Sequence, residues 1–344
     1  MRITSANSTP IDIRLNESVR TGAGSIGDRG GMQVTVVTDE LTGVGETAPI
    51  PGQEGPKLEE LATELGHWCA SVVGKSVEEA LAELDDQPHS PLTRFAVHTA
   101  LIDLQARSQG VPVSQLLNPD ATQRVRVNGL IGESSPAAVH QRAMELVEQG
   151  ITAIKLKVGA LDNSMDITRI VAASEAAGSS AKLRLDANGG WTAQAAARVI
   201  GRVGKHRISY IEEPTSDPSE YLELMEQTGV QVALDLAVTN TPDEEIAQAG
   251  VSVVIVKPAA LGGIDRVVEL AERHPDHRIV ITSSIDREVA LAAAIHAAAA
   301  LPTDSGPHGL ATGRLIANMD PALFDSNGQI TVPPGPGVWN PTAD

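Results

Sequence analysis

Three acidic residues and three lysines occupy what the sequence predicts to be the carboxyl ends of short apolar strands. The acids are Asp186, Glu212 and Asp235, and the lysines are Lys155, Lys157 and Lys257. Three carboxylates brought into one cleft repel one another, and each is costly to bury without a partner. A magnesium ion relieves this repulsion, because it prefers oxygen ligands and keeps positions open for water or a substrate carboxylate. The acids therefore predict an Mg²⁺ site, with Mn²⁺ as a substitute metal.

The lysines predict a base beside this metal. Lys155 and Lys157 are separated by one residue, so both side chains point to the same face of their strand. Two ammonium groups close together next to a metal depress each other's pKa toward the range of a general base. Such a base suits removal of the proton α to a carboxylate, because the metal stabilises the enediolate that forms. The sequence thus predicts an enzyme that acts on a small-molecule carboxylate.

Each acid taken alone also has a structural interpretation. Asp186 in DANGG suits a turn, Glu212 a solvated charge before a proline, and Asp235 a helix N-cap. Their equivalent positions on successive strands favour a shared site instead. His308 and His296 do not adjoin these strand ends, and we interpret the first as a loop residue and the second as a packed residue.

Strand and helix patterns alternate from residue 121 to residue 310. The predicted strands include RVRVNGLI, ITAIKLKVG, AKLRLDANGG, ISYIEEP, VQVALDL, VSVVIVKP and RIVITSS, with helical patterns between them. Strands joined in this way require parallel crossovers, and about eight of them favour a closed barrel over an open sheet. Catalytic groups of such barrels lie at the carboxyl ends of the strands. The acids and lysines should therefore converge at one mouth.

The first 120 residues have a different pattern. Residues 33–46 alternate in polarity and are predicted to turn at Gly43, which indicates an antiparallel hairpin or meander. Helical patterns then follow between residues 57 and 110. This order is typical of an α+β unit. Residues 311–344 lack strand-helix alternation and are expected to pack back against that unit.

Composition excludes several classes of function. The 344 residues carry a formal net charge of −18 and only 2% aromatic residues, which disfavours binding to nucleic acid or anionic membranes. The single cysteine, Cys69, cannot form an internal disulfide, and no apolar stretch is long enough to cross a bilayer. The start MRITSANSTP lacks the order of a secretory signal. We therefore expect a soluble cytoplasmic protein, with the choice between monomer and homo-oligomer left open.

The motifs together resemble the muconate-lactonising subgroup of the enolase superfamily. They are KLK at 155–157, RLDAN at 184–188, IEEP at 211–214, ALD at 233–235 and KPAALGG at 257–263. GETAPIPG at 45–52 is similar to the capping-domain loop that closes over substrate in that family. The resemblance implies a modified (β/α)8-type TIM barrel, of the (β/α)7β form, in residues 121–310. It also implies an α+β capping domain formed by residues 1–120 and the tail 311–344.

Within this subgroup the motifs are most similar to the o-succinylbenzoate synthases of menaquinone biosynthesis. The resemblance implies that Asp186, Glu212 and Asp235 bind magnesium. Lys157 would take the α proton of a succinyl-hydroxy-cyclohexadiene carboxylate and return it to the leaving hydroxyl. Lys257 would stabilise the enediolate from the opposite face, and Lys155 would hold the charge state of Lys157.

The resemblance also implies a set of substrate-binding residues. They are Arg184, Asn188, Gly262, Gly263, Ser283 and Ser284, of which the glycines and serines would meet the succinyl tail. Two departures from the family pattern stand out. Leu236 and Ala237 replace a Glu-Ser pair after the third metal ligand. Arg287 introduces a cation that is expected near the tail pocket, where it would favour an anionic tail or obstruct it.

Other functions remain open from the sequence. Lysines on opposite faces of one α carbon could racemise an N-acyl amino acid or epimerise a dipeptide. Cycloisomerisation of a muconate uses the same enolate chemistry. A non-catalytic barrel predicts loss of lysines or metal ligands, and none of them is lost.

Overall fold

The structure is a computed structural model that describes residues 1–16, 18–21, 24–52, 55–236, 241–303 and 305–340. Its amino-terminal strands are β1 (Ile3–Ile13), β2 (Val19–Thr21), β3 (Gly24–Ile26), β4 (Arg29–Thr38) and β5 (Thr42–Thr47). Strands β1, β4 and β5 form one antiparallel sheet in that order, and β2 pairs with β3. The predicted antiparallel pairing within residues 33–46 is confirmed as β4 and β5.

Four helices follow this sheet, and the longest packs tightly on β5. They are α1 (Leu58–Val72), α2 (Val77–Asp86), α3 (Pro91–Gln109) and α4 (Val113–Leu117). A Cβ on Gly45 would lie 1.9 Å from the Ala96 carbonyl oxygen, and one on Gly43 would lie 2.2 Å from that of Ala100. The prediction of a turn at Gly43 was wrong, because Gly43 lies within β5, where it pairs with Val36. The turn precedes it at residues 39–41, and the glycines let α3 approach the sheet.

A parallel sheet of seven strands forms most of the barrel, with strands in chain order from β7 to β13. The elements after α4 are β6 (Arg124–Arg126), β7 (Gly129–Ile131), α5 (Pro136–Glu148), β8 (Ala153–Lys157), α6 (Asn163–Ala177), β9 (Lys182–Asp186), α7 (Ala193–Val203), β10 (Ile208–Glu212), α8 (Tyr221–Thr228), β11 (Val232–Asp235), α9 (Pro242–Ala249), β12 (Val253–Val256), α10 (Pro258–Leu261), α11 (Ile264–Arg273), β13 (Arg278–Ile281) and α12 (Glu288–Ala300). Neighbouring strands are joined through helices, as predicted for parallel crossovers.

Two residues close the space between β13 and the start of the barrel. His308 forms a parallel bridge to Val127, and Gly309 forms a parallel bridge to Thr282. The buried His308 ring also accepts a hydrogen bond at Nδ1 from the Ile281 N–H. His308 is therefore part of the barrel wall, and its interpretation as a loop residue was wrong. A closing segment this short carries no recognisable strand pattern.

The carboxyl-terminal segment returns to the first domain. Its strand β14 (Gln329–Thr331) first pairs with β6 at the start of the barrel. Beyond β14, the Val338 N–H donates to Asp103 of α3, which belongs to the first domain. The expected packing of His296 is confirmed, because its ring lies between the Ser114 N–H and the Val338 carbonyl. The boundaries predicted at residues 120 and 310 fall between α4 and β6 and directly after the closing bridges.

Helix α12 is the most apolar helix, and it is buried inside the fold rather than exposed. All but one of its residues are buried, which accounts for its alanine-rich sequence. In the part of the chain that the structure describes, no helix has both the length and the apolar character needed to span a membrane.

Candidate active site

The three acids end three adjacent strands of the barrel. Asp186 ends β9, Glu212 ends β10 and Asp235 ends β11. Asp186 and Glu212 are direct neighbours in the parallel register, and both are buried. All three acids line one cavity of about 120 Å³. The predicted convergence of strand ends therefore brings the carboxylates to a single mouth.

The three lysines line the same cavity and form ion pairs with these acids. Lys155 Nζ lies 2.7 Å from Glu212 Oε1 and 2.7 Å from Asp186 Oδ2. Lys157 Nζ lies 2.6 Å from Asp186 Oδ2 and donates to the Asn188 side chain at 2.9 Å. Lys257 donates to the Asp235 carboxylate. Lys157 and Lys257 thus approach the cavity from different strands, with the acids between them.

The electrostatics of the lysines differ from the expectation. Burial disfavours the charged form of Lys155, but Asp186 and Glu212 outweigh it and hold the Lys155 pKa well above its usual value. The pKa of Lys257 is also raised, because Asp235 outweighs its burial. The prediction of a lowered lysine pKa was therefore wrong for Lys155, because it did not include the carboxylates that the fold brings into contact with this ammonium group.

The pKa values of the two buried acids shift in opposite directions. Burial raises the pKa of Glu212 to about 7, and repulsion from Asp186 and Asp235 adds to the effect, with Lys155 acting against it. Asp186 is equally buried, yet contact with two lysines holds its pKa well below the usual range. The neighbouring Glu213 has a pKa raised to about 8 by burial and by Asp235 and Glu212. The three acids of the cavity and the adjacent Glu213 thus outnumber the three lysines.

The donor set fits a hard divalent cation. Asp186 Oδ1 is shielded from solvent and has no hydrogen-bond partner among the described residues. Burial is the main cause of the raised pKa of Glu212, and repulsion from Asp186 and Asp235 adds to it, which a cation between the carboxylates would relieve. As the side chains stand, no three metal-ligating groups of the described residues are close enough to hold an ion. The lysine ammonium groups now lie against the oxygens that a cation would take.

Three of the predicted substrate-binding residues line the cavity. They are Asn188, Ser283 and Ser284. Asn188 has a φ of 44°, a left-handed conformation that is uncommon for a residue with a side chain. Glu213, directly after β10, and Ile285, in the loop after β13, share this conformation with φ values of 41° and 60°. Backbone strain of this kind concentrates at functional sites, which agrees with the position of the cavity.

The other three predicted substrate-binding residues lie elsewhere. Gly262 accepts a hydrogen bond at its carbonyl from Arg94 of α3, and a Cβ on Gly263 would meet Asp265 and Arg94. These glycines allow the capping domain to pack against the barrel. Arg184 is buried in the barrel interior, where it donates to Asn128 and to the Pro307 carbonyl. None of these three is among the described residues that line the cavity.

Of the residues that depart from the family pattern, Arg287 and Leu236 lie outside the lining of the cavity. Arg287 precedes α12, contacts Glu288 and lines a separate surface cavity with Glu46 and Met319. Arg287 was expected near the tail pocket, but it is not among the described residues that line the cavity of the acids and lysines. Leu236 is buried, and its N–H donates to the Ile255 carbonyl. Ala237 lies outside the described residues.

Sequence reasoning missed the capping-domain residues that cover the cavity. Ile26 of β3 and Ile50 of the loop after β5 both line it. Ile50 belongs to the GETAPIPG motif, so its loop was recognisable. Ile26 carried no comparable signal, because an isolated apolar residue in a short strand has no periodic pattern around it. The site is thus covered by two apolar side chains from the amino-terminal domain.

Comparison with known proteins agrees with these observations. Residues 11–118 match the mandelate racemase / muconate lactonizing enzyme N-terminal domain, and residues 138–338 match the enolase C-terminal domain-like family. The chain belongs to the enolase superfamily, as its motifs predicted.

Individual relatives have different activities. The chain is 28% identical to muconate cycloisomerase 1 of Rhodococcus opacus, over 98% of this chain and 95% of that protein. It is 31% identical to o-succinylbenzoate synthase of Thermobifida fusca, over 54% of this chain and 60% of that protein. A dipeptide epimerase of Enterococcus faecalis V583, solved with Mg and the dipeptide L-Leu-L-Tyr, has a TM-score of 0.88 at 23% identity. That match covers 98% of this chain and 99% of the other. The relatives share a fold and a superfamily, while their reactions differ.

Proposed function

We propose that this protein is a magnesium-dependent carbon-oxygen lyase, an o-succinylbenzoate synthase of menaquinone biosynthesis. The observation that carries the proposal is the cavity in which Lys157 and Lys257 flank three carboxylates. This set of groups suits removal of a proton α to a carboxylate. The substrate would be 2-succinyl-6-hydroxy-2,4-cyclohexadiene-1-carboxylate, and the reaction a loss of water.

Asp186, Glu212 and Asp235 are the residues that would hold magnesium, which supplies Lewis-acid stabilisation of the negative charge that develops on the substrate carboxylate. Support comes from the solvent-shielded Asp186 Oδ1, which has no partner among the described residues, and from the position of the three acids in one cavity. These carboxylates could hold the ion only where the lysine ammonium groups do not occupy their oxygens.

Lys157 would act twice. Its neutral amine takes the proton from the carbon α to the carboxylate, and the electron pair of that C–H bond moves into the carboxylate to give the enediolate. The pair then returns to form a ring double bond as the neighbouring C–O bond breaks. The Lys157 ammonium gives its proton to the departing hydroxyl, so that water leaves and the ring becomes aromatic. One residue serves both steps because proton and hydroxyl leave from the same side.

The remaining side chains would position and shield the reaction. Lys257 would place a positive charge on the opposite side of the ring, where it stabilises the enediolate. Lys155, which lines the same cavity as Lys157, would hold the charge state of Lys157 and help to orient the substrate carboxylate. Ile26 and Ile50 would exclude water above the reacting carbon, which strengthens the electrostatic interactions within the cavity.

A second candidate function is racemisation or epimerisation of an N-acyl amino acid or a dipeptide. It is favoured by the same placement of lysines, because one could remove the α proton and the other could return it to the opposite face. Muconate cycloisomerisation is a third candidate, because the chain is similar over almost its whole length to muconate cycloisomerase 1 of Rhodococcus opacus. A non-catalytic role is disfavoured, since it gives no reason for six charged residues in one cavity.

A substrate assay tests the proposal. Purified protein with Mg²⁺ is expected to convert the cyclohexadiene carboxylate to o-succinylbenzoate, to lose activity with a chelator, and to recover it with Mg²⁺ or Mn²⁺. N-acyl amino acids, dipeptides and muconate are assayed in parallel under the same conditions. Failure to form o-succinylbenzoate, together with metal-dependent racemisation of an amino acid derivative, would replace the proposal by the second candidate.

A further inference from the structure

Two side chains of opposite charge are buried near the start of α6, outside the cavity described above. Asp166 is 0% exposed, and Arg169, one helical turn later, is 3% exposed. Arg169 Nη1 lies 3.0 Å from Asp166 Oδ1. We call these two residues the α6 pair. Neither is among the described residues that line the cavity of the acids and lysines. The pair can therefore influence the site only through other residues.

The α6 pair forms hydrogen bonds with the loops at the carboxyl ends of three adjacent strands. Asp166 Oδ2 accepts a hydrogen bond from the Gly159 N–H at 2.8 Å, in the loop after β8. The same oxygen accepts a hydrogen bond from Trp191 Nε1 at 3.2 Å, in the loop after β9. Arg169 donates through Nε and Nη2 to the Glu133 carbonyl at 3.0 and 2.7 Å, in the loop after β7. One buried ion pair thus joins three loops.

The α6 pair is not needed to begin its own helix. The N-cap of α6 is Asp162, whose Oδ1 accepts hydrogen bonds from the Ser164 and Met165 N–H groups at 2.9 and 3.1 Å. A buried ion pair is also weak evidence for stability, because the cost of removing both charges from water can exceed their attraction. What the pair does provide is a fixed geometry between α6 and the three loops.

Two of these loops begin directly after residues of the site. Lys157 ends β8, and Asp186 ends β9. Lys157 Nζ donates to the Asn188 side chain at 2.9 Å, within the loop after β9. Asn188 has a φ of 44°, and such a conformation persists only where the surrounding structure fixes it. The hydrogen bond of Trp191, three residues later, is one contact that fixes this loop.

The loops after β8 and β9 also touch each other. A Cβ on Gly190 would lie 2.7 Å from the Gly159 carbonyl oxygen, and a Cβ on Gly159 would lie 2.9 Å from the Ala187 carbonyl oxygen. There is thus no room for a side chain between them. A displacement of the loop at Gly159 would therefore be passed on to residues 187–190.

We propose that Asp166 and Arg169 are positioning residues that hold the loops after β7, β8 and β9 and thereby fix Lys157 and Asn188 relative to the reacting carbon. This inference rests on the proposed role of Lys157 as the base. The pair acts through the backbone of the loops and the Trp191 indole. A misplacement of about 1 Å caused by a distant change can lower a reaction rate by about 100-fold, so the loss of these few contacts is sufficient.

Asp166→Asn tests the pair without changing the size of the side chain. An amide has an acceptor oxygen on one side only, so it cannot accept from both Arg169 and the two loop donors. With Mg²⁺ and the substrate that the wild-type protein converts, kcat is expected to fall about 10- to 100-fold. KM should change by less than about twofold, because the pair acts on the reacting groups rather than on substrate binding.

Asp162→Asn is the matched control for this variant. It makes the same chemical change at the start of the same helix, at an N-cap where asparagine serves as well as aspartate. Its kcat is expected to stay within about twofold of the wild-type value. An unchanged kcat in Asp166→Asn, or an equal loss of kcat in the two variants, would overturn the proposal.

A double variant separates positioning from the cost of leaving one charge buried without its partner. Asp166→Leu combined with Arg169→Met replaces both charges by apolar side chains of similar size, a change that is often neutral for stability. Thermal unfolding should remain close to that of the wild type, whereas kcat should stay about tenfold lower or more, because the contacts with the loops are lost. Wild-type kcat in the double variant would show that the pair is only structural, and the proposal would fail.

Crystal structures of the wild type and of Asp166→Asn measure the effect without turnover. Residues 158–162 and 187–191 are expected to shift by about 1 Å in the variant. The hydrogen bond from Lys157 to Asn188 should lengthen beyond about 3.5 Å. Loops and lysine in unchanged positions would overturn the proposal.

The structural comparison also separates this inference from the proposed function. Displaced loops in a protein that converts none of the candidate substrates would support the α6 pair as positioning residues and remove the lyase assignment. Unmoved loops in an active lyase would keep the proposed function and remove the role of the α6 pair.

Discussion

At the scale of single residues, charge balance in the cavity accounts for most of the chemistry. Asp186 contacts two lysines, whereas Glu212 contacts one lysine and faces two other acids. Both acids are buried, and burial raises the pKa of Glu212 with help from the neighbouring acids, whereas the two lysines outweigh burial and lower the pKa of Asp186. A cation among the acids would remove the repulsion on Glu212 and free the lysines. The same residues thus suit both metal binding and proton transfer.

Lys157→Ala is expected to reduce turnover by about 10²- to 10⁴-fold, the usual contribution of a general base. The fold should be preserved, because the side chain lines a cavity rather than the packed core. Steady-state kinetics measure the loss, and circular dichroism with thermal unfolding checks the fold. Wild-type turnover in this variant would remove Lys157 from the role of base.

Asp235→Asn is expected to weaken Mg²⁺ binding by about tenfold or more and to lower activity in parallel. A loss of metal affinity of this size is already typical when a residue that only supports a ligand is changed. Titration of metal-free protein with Mg²⁺ in a calorimeter gives the affinity. The matched control is Asp243→Asn, which changes an exposed carboxylate in α9. Unchanged Mg²⁺ affinity in Asp235→Asn would exclude Asp235 as a ligand.

At the scale of elements, helix α3 links the capping domain to the segment that follows Lys257. Arg94 of α3 donates to the Gly262 carbonyl at 2.7 Å and pairs with Asp265 at 2.8 Å. Arg94 is buried, and a Cβ on Gly263 would collide with both partners. The two glycines at the end of the KPAALGG motif therefore serve the packing between domains.

Arg94→Leu is expected to destabilise the protein by about 1.5–3 kcal/mol, the usual contribution of a hydrogen bond to a charged group. The Gly262 carbonyl and Asp265 lose the Arg94 guanidinium, although Asp265 is 21% exposed and keeps its contact with His98. Arg266→Gln is the control, since Arg266 is half exposed and lies 3.8 Å from Asp85. Its loss should change the free energy of unfolding by less than about 1 kcal/mol. Urea denaturation of both variants measures the difference. Equal stabilities would show that the interdomain ion pair contributes little.

At the scale of the whole molecule, the carboxyl-terminal tail joins the barrel to the capping domain. The Val338 carbonyl lies 2.8 Å from the His296 ring on α12, and its N–H donates to Asp103 on α3. His296 and Asp103 are both buried. The tail therefore stabilises the contact between these two helices through polar groups that solvent does not reach.

This contact predicts a pH dependence of stability. Burial lowers the pKa of His296 from the ordinary 6.5 to about 4, with the Val338 carbonyl acting in the opposite direction. Between these values the unfolded chain binds a proton that the folded chain does not, so stability falls as the pH falls from 6.5 to 4. His296→Gln should reduce this loss by up to about 3 kcal/mol. Urea denaturation between pH 4 and pH 6.5 measures the free energy of unfolding of both proteins. The same dependence of this free energy on pH in both would contradict the prediction.

The sequence predicted those features whose signals are local. Apolar strands that end in Asp186, Glu212 or Lys257 can be read from a few neighbouring residues, and the barrel rule then brings them together. The contact between Arg29 and Ser284 spans 255 positions and leaves no local pattern. His308 was misinterpreted because the closing segment has two bridged residues, too few for periodicity. The raised pKa values of Lys155 and Lys257 depend on carboxylate contacts that only the folded chain forms.

The most direct test of the account is a crystal structure of the protein grown with Mg²⁺ and o-succinylbenzoate. We expect one cation ligated by Asp186, Glu212 and Asp235, with Lys157 and Lys257 on opposite sides of the ring carbon that carries the carboxylate. A cation bound elsewhere, or lysines still paired with the carboxylates while the ligand occupies the cavity, would contradict it.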